Sequence, residues 1–387
     1  MQGVFLKNFF HKYFAGKMSR EVKELFLSTA ILDFAVSAVS IFEPIYLYTI
    51  GFSVEKIILF YIAVYAIYFF LAPLGGKLAR SYGYEHSIIY SSPFLIIFYL
   101  SLFAIPYHPF FIASAIISFS LQKMLYWPGY HADFARFGKG KERGKEISNM
   151  VVASSIVWII GPFLGGIFLT IFGFKPLFII VSFLILISNI PLLTTPEKFV
   201  PVYFSYKEAM KKIFIKENWR KLFAYLGFGE EHIALVLWPL FIFLVIGEYD
   251  KIGLLVSTSI FLATLLTLYF GWLADRAPKR KMLKVGVGFT LLSWILKSLA
   301  FSALGVFVAD FLYRVTKRVI YIPFTSITYE EAKDKSVMQE IIFFQMALSL
   351  GKVLVSILAL ILLFFFPGNW AMIFILGAIM SLLYCLM

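Results

Sequence analysis

The apolar residues of this chain run rather than alternate. Near-continuous stretches rich in Leu, Ile, Phe, Val and Ala occupy 25–48, 57–74, 88–105, 109–127, 147–171, 177–195, 221–246, 252–272, 283–304, 305–322, 341–366 and 370–387. Each is close to the roughly 20 residues that an α-helix needs to cross about 30 Å of hydrocarbon. Lipid offers no hydrogen-bond partner to a bare backbone, and barrel strands alternate over about ten residues, so unbroken runs of this length predict helices. The expected class is an all-α membrane protein with twelve transmembrane helices.

Composition agrees. Of 387 residues 61% are apolar and 15% charged, and the mean hydropathy is +0.86, which excludes an ordinary soluble domain. The net charge of +13 would suggest nucleic acid only if the bases formed a face on a folded domain, whereas here they sit between the apolar runs. No nucleic-acid partner is expected. Thirty of the 35 Lys and Arg lie in the N-terminal segment and in the connections and adjoining helix ends on one side; three lie on the other, and Lys297 and Lys352 fall deeper inside runs. Bases collect on the cytoplasmic side, which places both termini there and the protein in the plasma (inner) membrane. Cys385, the one cysteine, excludes a disulfide framework and a cysteine-built zinc site.

Residues 1–24 carry five bases among four phenylalanines with no cleavage site, so the segment reads as a cytoplasmic interfacial helix or a disordered leader rather than a signal peptide. Residues 196–220 form a polar connection near the chain's midpoint, and 205–219 have helical spacing. This divides the chain into an N-terminal six-helix half, 25–195, a cytoplasmic linker, 196–220, and a C-terminal six-helix half, 221–387.

Two connections share a pattern. After the eighth run stands Gly271-Trp-Leu-Ala-Asp275-Arg276-Ala-Pro-Lys-Arg280-Lys, and after the second Gly76-Lys-Leu-Ala-Arg80-Ser81-Tyr-Gly83-Tyr84-Glu85. Both resemble G-x-L-A-D-R-x-G-R-[RK], the loop motif of the major facilitator superfamily. The copies begin 195 residues apart, about half the chain, as expected of two repeated halves. The first copy has Arg80 in place of the acid and Ser81 in place of the arginine; the second keeps Asp275, Arg276 and the basic cluster. An acid at a helix end facing bases across a short turn can tie neighbouring helices in one transport state and release them in another. In the fifth run Gly161-Pro162-Phe-Leu-Gly165-Gly166 resembles the superfamily's fifth-helix motif, best known from proton-driven exporters. Its small residues suit close helix packing, and Pro162 removes a backbone hydrogen bond.

Ionisable residues inside a bilayer are costly and so mark function. Asp33 and Glu43 lie on the first run, Gln122 and Lys123 on the fourth, Glu230, Glu231 and His232 on the seventh, and Asp310, Arg314, Lys317 and Arg318 on the tenth. The resemblance implies that helices 1, 4, 7 and 10 line a central cavity, which makes Asp33, Lys123, Glu230, Glu231, Asp310 and Arg314 the transport and coupling candidates. Counting about 1.5 Å per residue puts Glu230 about 14 Å and Arg314 about 12 Å deep, so the two are expected to pair, as are Asp33 and Lys123. Glu231 and Asp310 are the alternative partners for Arg314. Lys297, seven residues from the end of its run, is expected to snorkel to the outer surface. Tyr126, Trp127, Tyr130 and His131 read as an interfacial aromatic belt or as a cavity gate.

The function these residues imply is a secondary active transporter, a monomer, moving a small-molecule substrate by alternating access with proton coupling, and export is favoured. No catalytic residue, cofactor or metal site is expected, and no phosphate-binding loop points to ATP. The rivals are a transporter-like scaffold or receptor without flux and a membrane-embedded transferase, the latter disfavoured by short outer connections.

Overall fold

The computed structural model describes residues 20–136, 143–194, 197, 199–274, 278–333 and 337–387, and among these there is no strand. The first run forms two helices, α1 (Arg20–Ser37) and α2 (Glu43–Thr49), separated by a turn. Pro44 at the second position of α2 has no N–H to lose, which suits a helix restart there. Then follow α3 (Val54–Tyr82), α4 (Tyr84–Ala104), α5 (Phe110–Arg136), α6 (Arg143–Phe172) and α7 (Phe174–Ser188). After the connection come α8 (Tyr206–Lys212), α9 (Trp219–Leu226), α10 (Gly229–His232), α11 (Trp238–Ile246), α12 (Tyr249–Ala274), α13 (Lys279–Ser298), α14 (Ala303–Lys333), α15 (Val337–Phe365) and α16 (Trp370–Leu382).

Eight helical stretches among the described residues are long and apolar enough to cross a membrane. The other four runs are also helical, but the first is broken, α13 and α14 carry too many charges, and α16 is short. Helices also outlast the runs that announced them: α14 continues to Lys333 and α5 to Arg136, through stretches that read as polar connections. Hydropathy marks the part of a helix that lipid would touch, whereas backbone hydrogen bonding carries the helix into water.

The seventh run is helical with two interruptions, the first a turn at Gly227–Phe228 between α9 and α10. Between α10 and α11, Ile233–Leu237 form a π-turn. Pro239 stands just beyond it and has no N–H to give the carbonyl four residues back, which loosens the α-pattern there.

The linker helix α8 spans seven residues rather than the fifteen expected. Ser205 caps it by accepting the Glu208 N–H at 3.3 Å, and Lys211 and Lys212 occupy its last turn. It is strapped down at both ends. The Tyr206 hydroxyl donates to the Phe70 carbonyl at 3.0 Å, and the buried Glu340 of α15 accepts from Lys212 and, at 3.2 Å, from Lys221.

Glycines set the closest helix approaches. A Cβ on Gly161 would lie 1.9 Å from Ser37 Oγ, one on Gly165 1.9 Å from the Ala38 carbonyl oxygen, and one on Gly166 2.4 Å from that of Tyr249. So α6 is clamped between the end of α1 and the start of α12, with Pro162 facing Gly253 of α12. Gly76 lies against Ile342 of α15, and Gly83 turns the chain from α3 into α4 at φ +113°. Beside that turn, Glu197 of the linker accepts the Tyr84 N–H at 2.8 Å and the His86 N–H at 3.3 Å, and meets His86 Nδ1 at 2.9 Å. Glu197 thus caps the first turn of α4 from the linker. Of the second copy, Arg280 lies exposed on α13, while Gly271, Asp275 and Arg276 lie outside the residues whose packing is described.

Candidate functional site

A cavity of about 360 Å³ opens between α1, α3, α5, α6, the π-turn, α12 and α14. Its polar wall brings together Asp33, Glu43, Gln122, Lys123, His232 and Arg314. These come from five separate helices, and each is placed there because its own helix turns one face inward. Tyr126 and Trp127 also line it, which sides with a cavity role for that aromatic cluster, and His131 packs edge-on against Phe344 of α15 at 6.2 Å.

The expected pair of Asp33 and Lys123 does not form. Asp33 accepts the Ser154 hydroxyl of α6 and has no basic partner among the described residues. The ammonium of Lys123 instead lies over aromatic faces, 3.9 Å from the centre of Phe119 and 5.3 Å from that of Tyr65. A ring quadrupole attracts a desolvated cation by up to about 2 kcal/mol, so an aromatic seat competes with a distant acid. Lys352 of α15 also meets Tyr65, with Nζ 3.4 Å from its hydroxyl. Glu43, at the head of α2, accepts the Tyr99 hydroxyl at 2.8 Å. His232 is buried edge-on between Tyr61 and Tyr65, at 5.4 and 5.3 Å, with Nε2 lacking a hydrogen-bond partner among the described residues.

The expected pair of Glu230 and Arg314 is likewise replaced. Glu230, fully buried, meets Lys317 Nζ at 2.5 Å and accepts the Tyr313 hydroxyl at 2.8 Å and the Tyr384 hydroxyl at 3.1 Å. Glu231 meets the same lysine at 3.1 Å. Arg314 turns to Asp310, one helical turn back, with Nε donating at 2.6 Å, while Trp238 Nε1 donates to the other oxygen of Asp310 at 3.0 Å. Depth along a helix leaves its azimuth open, and at about 100° per residue Tyr313 and Lys317 share one stripe of α14 while Asp310 and Arg314 share the next.

Lys297 does not reach the surface. Its side chain is fully buried, with Nζ 3.7 Å from the centre of Tyr313 and 4.4 Å from those of Trp238 and Trp294, and with no hydrogen-bond partner among the described residues. A buried ammonium whose direct contacts are rings, with Asp310 and Glu230 acting on it only through space, costs more to desolvate than cation–π attraction returns. Lys297→Met, of similar length and apolar, is therefore expected to melt at or above the parent's temperature in detergent. A fall of several degrees would mean that the ammonium stabilises the fold.

Two further contacts escaped the sequence reading. Tyr68 donates to Gln345 of α15 at 3.0 Å, and with Tyr61 and Tyr65 it forms an aromatic stripe along α3 facing α15 and the π-turn helix. The signal was the Tyr61, Tyr65, Tyr68 spacing, hidden because tyrosine passes as bulk in an apolar run.

The sequence profile of the Major Facilitator Superfamily matches this chain twice, over residues 25–249 and 226–387. No curated protein matches it. Among solved structures the fold is similar to that of a POT family transporter crystallised in complex with 5-aminolevulinic acid, at 13% identity, with a TM-score of 0.73 over 94% of each chain.

Proposed function

Since the chain belongs to the major facilitator superfamily and is a secondary membrane transporter, we propose that it carries a small solute through the 360 Å³ cavity by alternating access. The observation that carries this reading is the convergence of acids and bases from remote segments on one cavity wall, where lone charges would be too costly to keep without a use. The twofold profile match supports two six-helix halves, 25–195 and 221–387, joined by the linker at 196–220, and so twelve crossings, counting the broken first run and the charged α13 and α14. The bias of Lys and Arg supports cytoplasmic termini in an inner membrane.

Coupling is assigned to protons and to Asp33. This carboxylate reaches the cavity without a basic partner, so a proton or a cationic group of the solute must neutralise it there. Export is the direction favoured by the Gly161–Gly166 motif, which locks α6 to α1 and α12. The similar transporter holds 5-aminolevulinic acid, a small molecule, in keeping with a small cargo here.

The test is flux. Solutes that raise the melting temperature of the purified protein, from a panel of amino acids, peptides, sugars and carboxylates, are loaded into proteoliposomes under a pH gradient. Asp33→Asn is expected to abolish uphill movement while keeping downhill exchange. Binding without flux for every solute would favour a scaffold or receptor, and uphill flux retained in Asp33→Asn would remove the proton assignment.

A further inference from the structure

A second cavity, of about 280 Å³, adjoins the first; Ala234, Leu235, Ile260 and Arg314 line both. Its charged lining comprises Glu231, Asp310, Arg314, Lys317 and Arg318. Four of these five are matched. Lys317 stands between Glu230 and Glu231, and Arg314 gives its Nε to Asp310. Arg318 has no hydrogen bond or ion pair with any described residue. The remaining donors of Arg314 are in the same position, because only Nε is engaged.

Arg314 and Arg318 are four residues apart on α14 and so present two guanidinium groups on one face, one turn apart. Like charges at that spacing repel, the more so away from bulk water. Two planar forks with open donors, side by side on a cavity wall, form the arrangement that carboxylate and phosphate oxygens satisfy bidentately. An anion placed between them would satisfy the open donors and relieve the repulsion.

We propose that the second cavity is an oxyanion subsite in which Arg314 and Arg318 hold a carboxylate or phosphate group. Its place as the extension of the central cavity makes that group the anionic end of the cargo, a role that rests on the transport reading. Asp33 and Glu43, which line the first cavity, suit a cationic or hydroxyl-bearing end.

The experiment uses the full chain in neutral detergent, with succinate and inorganic phosphate as soluble probes and short-chain phosphatidylglycerol as the lipid probe. Succinate or phosphate is expected to bind by calorimetry, with Arg318→Gln weakening the affinity at least about tenfold. Arg318 has no hydrogen-bond or ion-pair partner among the described residues to strand, so this variant is expected to fold. Independently of any variant, succinate is expected to protect Arg318 of the parent from phenylglyoxal, read by peptide mass spectrometry. Equal affinity in the variant, no protection, or an Arg318-dependent response to the lipid alone each overturns the proposal. An anion that binds through Arg318 but never crosses proteoliposomes removes the transport reading and leaves the subsite; flux of a solute with no Arg318-dependent anion binding does the reverse.

Discussion

Lys317→Met is expected to destabilise the protein by about 3 to 5 kcal/mol, among the largest losses of any single side chain, because it strands a charge rather than a contact. Glu230 is fully buried, and its direct ion-pair partner among the described residues is Lys317 at 2.5 Å; the Tyr313 and Tyr384 hydroxyls remain but bring no charge. Glu231 loses its lysine as well. Glu230→Gln is expected to cost less, since Lys317 keeps Glu231. The double variant, Glu230→Gln with Lys317→Met, is expected to recover much of the loss, leaving an interaction energy well above 0.5 kcal/mol in the cycle. Thermal unfolding in detergent reads all three variants. Additive losses would mean that the two residues do not interact.

Gly165→Ala is the second large effect. The new methyl would sit 1.9 Å from the Ala38 carbonyl oxygen, a rigid backbone atom, so α1 and α6 must separate. Overpacking of this kind costs typically about 1 to 3 kcal/mol, and here the shift also spreads to the α6–α12 contact at Gly166. Gly288→Ala in α13, where nothing lies within 4 Å of the added carbon, is the control. It is expected to be neutral or stabilising by about 0.5 to 1 kcal/mol, from helix propensity alone. Expression and melting temperature should separate the two variants sharply; equal behaviour would mean that α1 and α6 are not in contact at Gly165.

The helices were legible because lipid forces apolar residues into runs, and runs are long enough to count. Their ends were not, since α14 and α5 pass through charged stretches that hydropathy scores as loop while the backbone stays helical. The cast of the site was legible for a similar reason: Asp33, Lys123, Glu230 and Arg314 stand out because a bilayer penalises them. Their pairing was not. It depends on helix azimuth, which sent Glu230 to Lys317 and Arg314 to Asp310, and on aromatic faces that serve as counter-groups for Lys123 and Lys297. Glu197 stayed invisible because it acts at a corner far away along the chain, which no local pattern announces.

The π-turn at Ile233–Leu237 divides one helical stretch into two rims: Glu230, Glu231 and His232 before it, Trp238 after it. A π-turn stores one residue of slack. Handing that slack to the next turn exchanges one set of backbone hydrogen bonds for an equal number of others, and swivels the intervening residues by about 100°. The rim that carries the acids can therefore rotate against the rim that holds Trp238 to Asp310 while both remain helical. Such a ratchet re-aims the groups facing the cavity without any change in the length of chain crossing it.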